Sequence, residues 1–418
     1  MYKNRAMEKV IENARHSFKA VLVTGPRQVG KSTILKHLLA DYRYVTFDDP
    51  TILLEAKEEP GLFFRNHRPP VILDEVQYIS ELFPYVKMEC DKSDDNGCYA
   101  LTGSQQYHLM QNVLESLAGR IAILELAGLS LRELQEVRFS KPFVPTEEYI
   151  EEREREYKPC EDIWGVIHRG GYPALLDERV DWQTFYGSYV QTYIDRDINQ
   201  LSKVQDKLKF TQFLTAMAAR TGQLLNYSSI AEEIELSVAT VKNWTSLLEA
   251  SGIIYIMQPF TNSALNRAIK TPKVYFRDTG LVCFLTRYQT AETAAAGAMA
   301  GNLFETYVVS EILKSYSNAG RDYRMYVSYY RGKDKLRKKS DGEKESREAE
   351  IDLIIEQDGV LYPVEIKMSA NPKLSMSNAF DVLEKVSERK RGTGAIICLY
   401  DKPLWLKENI VALPVEFI

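Results

Sequence analysis

Cysteine is scarce in this chain of 418 residues, with only Cys90, Cys98, Cys160, Cys283 and Cys398. The number is odd and no two form a CxxC pair, which argues against a disulfide framework or a structural zinc and leaves reduced thiols as the expectation. Long apolar runs are missing too. Stretches such as residues 252–257 fall far short of the ~18 residues needed to span a bilayer, so no membrane helix is expected. The opening segment MYKNRAMEKVIENARHSFKA mixes acids and bases without an apolar core. It does not read as a secretory signal, and a cytoplasmic location is expected. Neither charge dominates: 53 Lys and Arg against 58 Asp and Glu give −5. No global field therefore draws the chain to nucleic acid, and any such contact has to be local. No repeat of fixed period is present.

What remains is an ordinary globular composition, 45% hydrophobic and 27% charged, which excludes a disordered or fibrous chain. At ~150 residues per domain the length suggests about three domains. From residue 18 to about 137, the β-branched runs AVLVTG, RYVTFD, PVILDE, CYALTG and IAILEL alternate with amphipathic segments, the signature of a parallel α/β sheet. We therefore expect the α/β class, with a parallel-sheet domain over 1–140. A charged helical lid or connection is expected over 141–205. Over 206–290, three helical patterns lead to IIYIM, a polar loop and KVYF, in the order of a winged helix. After an Ala-rich linker, a smaller α/β unit is expected over 298–418.

GPRQVGKST at 25–33 fits G-x-x-x-x-G-K-[ST], directly after a strand and before a helical pattern. Gly25 and Gly30 let backbone N–H groups curl around phosphates, and the following helix N-terminus favours their charge. Lys31 is expected to reach the β and γ phosphates of ATP. Ser32, with Thr33 beside it, is expected to meet Mg²⁺. VILDE at 71–75 ends an apolar strand in two acids. Asp74 would hold the Mg²⁺ shell and Glu75 would polarise the attacking water. LTGS at 101–104 offers Ser104, with Thr102 in reserve, to sense the γ phosphate. Arg120 is the first choice for an arginine on that phosphate, in its own or a neighbouring subunit, with Arg169 and Arg196 as competitors.

In the C-terminal segment, Asp352 lies on IDLII, while Glu365 and Lys367 lie on YPVEIKM, the two runs joined by QDG. Alternation along two such strands can turn both carboxylates and the lysine to one face. Two carboxylates there can hold Mg²⁺, and the lysine can orient water. This resembles the PD-(D/E)XK nuclease core, in which Glu305 in the preceding helix would be the additional acid. Residues 331–339 hold six bases and one acid, a solvated loop that could also grip a phosphate backbone.

The joint order of GPRQVGKST, VILDEVQ, LTGSQQ, LAGRIAILELAGLSLREL, RGGYPALL, YIDRDI and KVYFRDTGL resembles a family of prokaryotic AAA-type ATPases, related to archaeal STAND-like switches. The resemblance covers nearly the whole chain. It implies an ATPase core, a winged helix and a C-terminal nuclease-like domain of unknown function. Serine at position 104, where many AAA+ enzymes carry asparagine, implies slow hydrolysis. AAA-type sites often sit at subunit interfaces, so oligomerisation is expected to be possible. The middle segment adds a charge argument. Residues 208–257 carry Lys209, Arg220 and Lys242 against Glu232, Glu233, Glu235 and Glu249. That balance favours a lid packed on the nucleotide domain over a DNA reader. Between 259 and 277, Arg267, Lys270, Lys273 and Arg277 have no acid among them, so a duplex contact would rest on 267–277 and 331–339. The favoured function is an ATP-gated switch with a nuclease-like, nucleic-acid-directed effector. The alternative is an ATP-gated binding protein whose nuclease fold is inert. A plain transcription factor is weaker still, because the helix in the recognition position is not basic.

Overall fold

The computed structural model describes residues 2–103, 116–193, 207–261, 271–338, 344–386 and 389–418. Ser104, Arg196, Arg267 and Lys270 lie outside these residues, as does part of 331–350.

Five parallel strands form the first sheet: β1 (Ala20–Thr24), β2 (Arg43–Thr46), β3 (Val71–Asp74), β4 (Tyr99–Gly103) and β5 (Ile121–Glu125), in the order β2-β3-β4-β1-β5. The three inner strands are buried along their whole length, which is why they read as unbroken apolar runs. The edge strand β5 alternates buried and half-buried residues instead. Because all five run one way, the ends of β1, β3 and β4 bring Gly25, Asp74 and Thr102 to one edge of the sheet, where an open α/β sheet places its ligand.

The middle unit holds the helices Lys207–Ala218, Tyr227–Glu233 and Val238–Ala250, and an antiparallel sheet of β6 (Gln223–Leu224), β7 (Ile254–Met257) and β8 (Lys273–Phe276) in the order β6-β8-β7. Polar residues set the helix starts. Asn226 accepts from the N–H groups of Ser228 and Ser229, and Ser237 accepts from Thr240 N–H.

A long helix, Ala300–Ser317, buried nearly all round, precedes the last sheet. This sheet is mixed: β9 (Val327–Lys338), β10 (Lys344–Gln357), β11 (Val360–Ile366), β12 (Lys390–Arg391), β13 (Gly394–Cys398), β14 (Leu404–Lys407) and β15 (Ile410–Pro414) run in the order β14-β15-β13-β11-β10-β9, with β12 on β11. Asp358 and Gly359 both adopt positive φ, 53° and 76°. That is the turn a two-residue hairpin needs to keep the strand twist, so QDG fixes the β10–β11 register. Leu353, Ile355, Val364 and Ile366 enter an apolar cluster shared with the helix Ala300–Ser317, while Ile351, Ile354 and Leu361 enter a second cluster.

The units are tied together by polar groups as well as by apolar packing. Leu131 N–H donates to Glu311 at 2.8 Å, and Lys314 Nζ donates to the Leu129 carbonyl at 2.9 Å. Arg132 Nε donates to the Ile418 carbonyl at 2.7 Å. Such buried groups need partners, and here each finds one across a unit boundary.

Candidate functional sites

The loop after β1 has the backbone of a phosphate cradle. Gly25 (φ 137°) and Gly30 (φ 93°) occupy conformations that favour glycine, and a side chain at Gly25 would overlap the Leu126 carbonyl. The buried Lys31 turns back over the loop, its Nζ 2.7 Å from the Pro26 carbonyl and 3.1 Å from that of Gly25. The helix Lys31–Leu38 starts there. Ser32 donates to Asp74 Oδ1 at 2.6 Å, whereas Thr33 is exposed on the same helical turn. Asp74 also accepts from Thr102 Oγ1 and from the Tyr44 hydroxyl. Thr102 receives Glu75 N–H at 3.2 Å, so one hydroxyl fixes both acids.

Glu75 stands in the left-handed region (φ 59°, ψ 44°), a strained position for a side-chain-bearing residue and one that recurs at functional sites. Its carboxylate accepts from Gln77. Burial raises its pKa above the ordinary range, and Gln77 and Lys31 pull it back only in part. Gly25, Gly30, Lys31, Ser32, Asp74, Glu75 and Thr102 are therefore grouped at one edge of the sheet.

Arg120 is not among them. It directly precedes β5, at the opposite ends of the parallel strands, and its guanidinium pairs with Asp91 at 2.5 and 3.2 Å. Five residues of strand, ~16 Å, separate it from the phosphate edge. Action on a γ phosphate of the same chain is corrected by this placement. Arg169 is engaged with the carbonyls of Leu175 and Asp177. Two other arginines approach the loop: Arg5, whose Nη1 donates to the Val29 carbonyl at 2.8 Å, and Arg277. The Arg277 Nη1 donates to Glu125, at the loop-side end of β5, and its buried Nη2 has no hydrogen-bond partner among the described residues. Glu125 also accepts from Tyr323 and Arg324, each at 3.3 Å. Pro26, Gly252, Arg277 and Asp278 line a narrow cleft between the loop and the middle unit. Arg277 was expected on a DNA-facing wing. It is an interior residue instead, with a side chain 9% exposed.

The second site lies on β10 and β11. Asp352 accepts Ile366 N–H at 2.8 Å and stands 3.6 Å from Lys367 Nζ, while Lys367 reaches Glu365 at 2.6 Å. The three residues read from the strand alternation are thus together, and the helix Ala300–Ser317 adds Glu305. Unforeseen is Lys273 of β8, 3% exposed, whose Nζ lies 2.7 Å from Glu350, 3.4 Å from Glu305 and 4.0 Å from Asp352. Tyr275, two residues on, donates to Glu305 at 2.6 Å. Burial first, and the Asp352 carboxylate second, raise the pKa of both Glu305 and Glu365. Burial disfavours the Lys273 ammonium, but Glu305, Asp352 and Glu350 outweigh it and hold the proton on.

Among the described residues no group of three or more His, Cys, Asp and Glu side chains is arranged to hold a metal ion. The Mg²⁺ expected on Asp352 and Glu365 does not fit this arrangement, because the Lys367 ammonium already reaches both carboxylates and Lys273 stands beside Asp352 as well. Lys273 was likewise counted toward a duplex contact, and its burial removes it from that role. The signal for it was a lysine at the head of an otherwise uncharged four-residue strand.

No helix among the described residues is long and apolar enough to cross a membrane. Residues 300–418 match a domain of unknown function (DUF4143), and residues 160–292 match another (DUF8612). Uncharacterized proteins of Mycobacterium tuberculosis and Mycobacterium bovis are each 24% identical over 411 residues, covering 98% of this chain and 82% of theirs. Among solved structures, a Walker-type ATPase of Pyrococcus abyssi is 16% identical, with 68% of this chain and 96% of that chain covered at a TM-score of 0.38. A STAND ATPase of Pyrococcus horikoshii with a tetratricopeptide-repeat sensor is 11% identical, with 76% and 47% covered at 0.25. Residues 17–135, which carry the parallel sheet and the glycine loop, match the AAA domain.

Proposed function

We propose that the chain is a nucleotide switch that binds ATP with Mg²⁺ at the P-loop and hydrolyses it slowly. The observation that carries this reading is the linked set Ser32–Asp74–Thr102–Glu75 beside Lys31. Backbone N–H groups of residues 25–33 and the Lys31 ammonium would hold the phosphates. Ser32 and Asp74 would hold Mg²⁺, already being hydrogen-bonded to each other. Bound ATP·Mg²⁺ supplies the phosphoanhydride that is cleaved. Glu75 would take the proton of the attacking water on its carboxylate, and its left-handed backbone, held by Thr102, aims it. Calorimetry on Lys31→Ala tests the binding site, and an unchanged ATP affinity in the folded variant would end this reading.

Nucleic-acid-directed chemistry at Asp352, Glu365 and Lys367, with Glu305 nearby, is the proposed output of the switch. The position of Lys273 among these acids favours the second reading for the state described here, that of a nuclease-like domain which is inert. Metal-dependent cleavage of plasmid and single-stranded DNA, with and without ATP, separates the two. Assembly into oligomers is part of the same proposal, with Arg120 available to act only from a neighbouring subunit.

A further inference from the structure

We propose that the Lys273 ammonium is a built-in counter-cation of the C-terminal acid site, pairing with Glu350, Glu305 and Asp352 and so opposing a divalent ion beside Asp352. The inference rests on the reading of Asp352 and Glu365 as metal ligands and adds how their site is controlled.

Lysine is almost never fully buried without a partner, and Lys273 has three carboxylates around one Nζ: Glu350, Glu305 and Asp352, at 2.7, 3.4 and 4.0 Å. A one-to-one structural ion pair needs one. With Glu365, the site has four carboxylates against Lys273 and Lys367, a formal surplus of two negative charges (four minus two). Glu365 is 8% exposed, and its buried Oε2 has no hydrogen-bond partner among the described residues. The cluster therefore offers more acceptor capacity than its own donors use. The cation also comes from a different unit. Lys273 and Tyr275 share one face of β8 and both reach Glu305, so strand alternation delivers ammonium and hydroxyl together. Val274 and Phe276, on the other face, are buried in the apolar cluster. A site that only needed a local counter-charge has Lys367, the residue directly after β11.

The test uses the full-length, nucleotide-free protein and Mn²⁺, with free Mn²⁺ read by electron paramagnetic resonance. The wild type and Lys273→Arg, which keeps the charge, should show no Asp352-dependent Mn²⁺ binding. Lys273→Met should bind one Mn²⁺ at least roughly tenfold tighter, since a unit charge ~4 Å away opposes a second cation strongly, and Asp352→Asn in that background should abolish it. Equal, Asp352-dependent binding by wild type and Lys273→Met would overturn the exclusion while leaving the metal-ligand reading intact. No binding by any variant would overturn both. Binding by Lys273→Arg as tight as by Lys273→Met would show that charge is not what excludes the ion. If Lys273→Met cannot fold in EDTA, Mn²⁺ must restore its cooperative thermal transition, and failure to do so also counts against the proposal.

Discussion

Replacing Glu125 by glutamine tests how firmly the middle unit is clamped to the parallel sheet. Glu125 is 13% exposed and Arg277 9% exposed at the side chain, and their ion pair joins the end of β5 to the residue after β8. Glutamine keeps the shape but removes the charge and turns an amide N–H₂ toward donors. Arg277, whose Nη2 has no hydrogen-bond partner among the described residues, is then left buried with only the Tyr323 ring over its guanidinium. Breaking a buried pair from one side costs ~3–5 kcal/mol. The Arg324 contact is half exposed and adds at most ~1 kcal/mol. We expect Glu125→Gln to lower stability by about 3 kcal/mol, read as a fall in the urea midpoint at constant slope, followed by tryptophan fluorescence. Glu125→Gln with Arg277→Met should recover at least ~2 kcal/mol relative to the sum of the single variants, because the orphaned charge is gone. A loss below ~1 kcal/mol in Glu125→Gln, or strict additivity in the double variant, would refute the clamp.

Lys31→Ala should weaken ATP binding about tenfold to a hundredfold by calorimetry, as expected for losing a charged hydrogen bond of ~1.5–3 kcal/mol. Glu75→Gln should retain ATP affinity and lower the single-turnover hydrolysis rate by ~10²–10⁴. Because burial raises the Glu75 pKa and a base must be ionised, wild-type hydrolysis should fall as pH drops through that raised value, a limb missing in Glu75→Gln. Gly25→Ala, with its methyl driven into the Leu126 carbonyl at φ 137°, should lose nucleotide binding and lower the thermal midpoint while distant substitutions leave both unchanged.

The grouping of Gly25, Lys31, Ser32 and Asp74 at one edge of the sheet was legible because its signals are local. A strand, a glycine loop and a helix start are contiguous, and VILD needs only to be parallel to AVLVT for Asp74 to reach Ser32. The same parallel rule was sufficient to place Arg120. A residue just before a strand lies at the opposite end from a loop that follows one, so Arg120 could not share the edge with Gly25. The C-terminal hairpin was legible for a related reason: QDG sets the register, and alternation then fixes which face Asp352 and Glu365 share. Glu125 and Arg277 gave no such signal. Their partnership spans two units, and neither lies in a motif that requires the other.

The basic run 259–277 shows why counting charge misassigns side chains. A guanidinium or ammonium meets a phosphate and a carboxylate by the same charge-assisted hydrogen bonds, so a stretch with four bases and no acid in its own sequence fits either partner. Burial decides between them. β8 is the central strand of β6-β8-β7, and its four residues are all buried, so a base on it must find oxyanions inside the protein. Lys273 finds them in Glu305 and Glu350, and Arg277, one residue past the strand, finds Glu125. Neither charge is then free to neutralise a backbone phosphate, and a duplex contact through this segment would have to rest on Arg267 and Lys270. Two such contacts would give a salt dependence with a slope near −2 rather than −4, so DNA binding of the full chain with a slope near −4 that falls when Lys273 and Arg277 are neutralised would contradict the interior roles assigned to both.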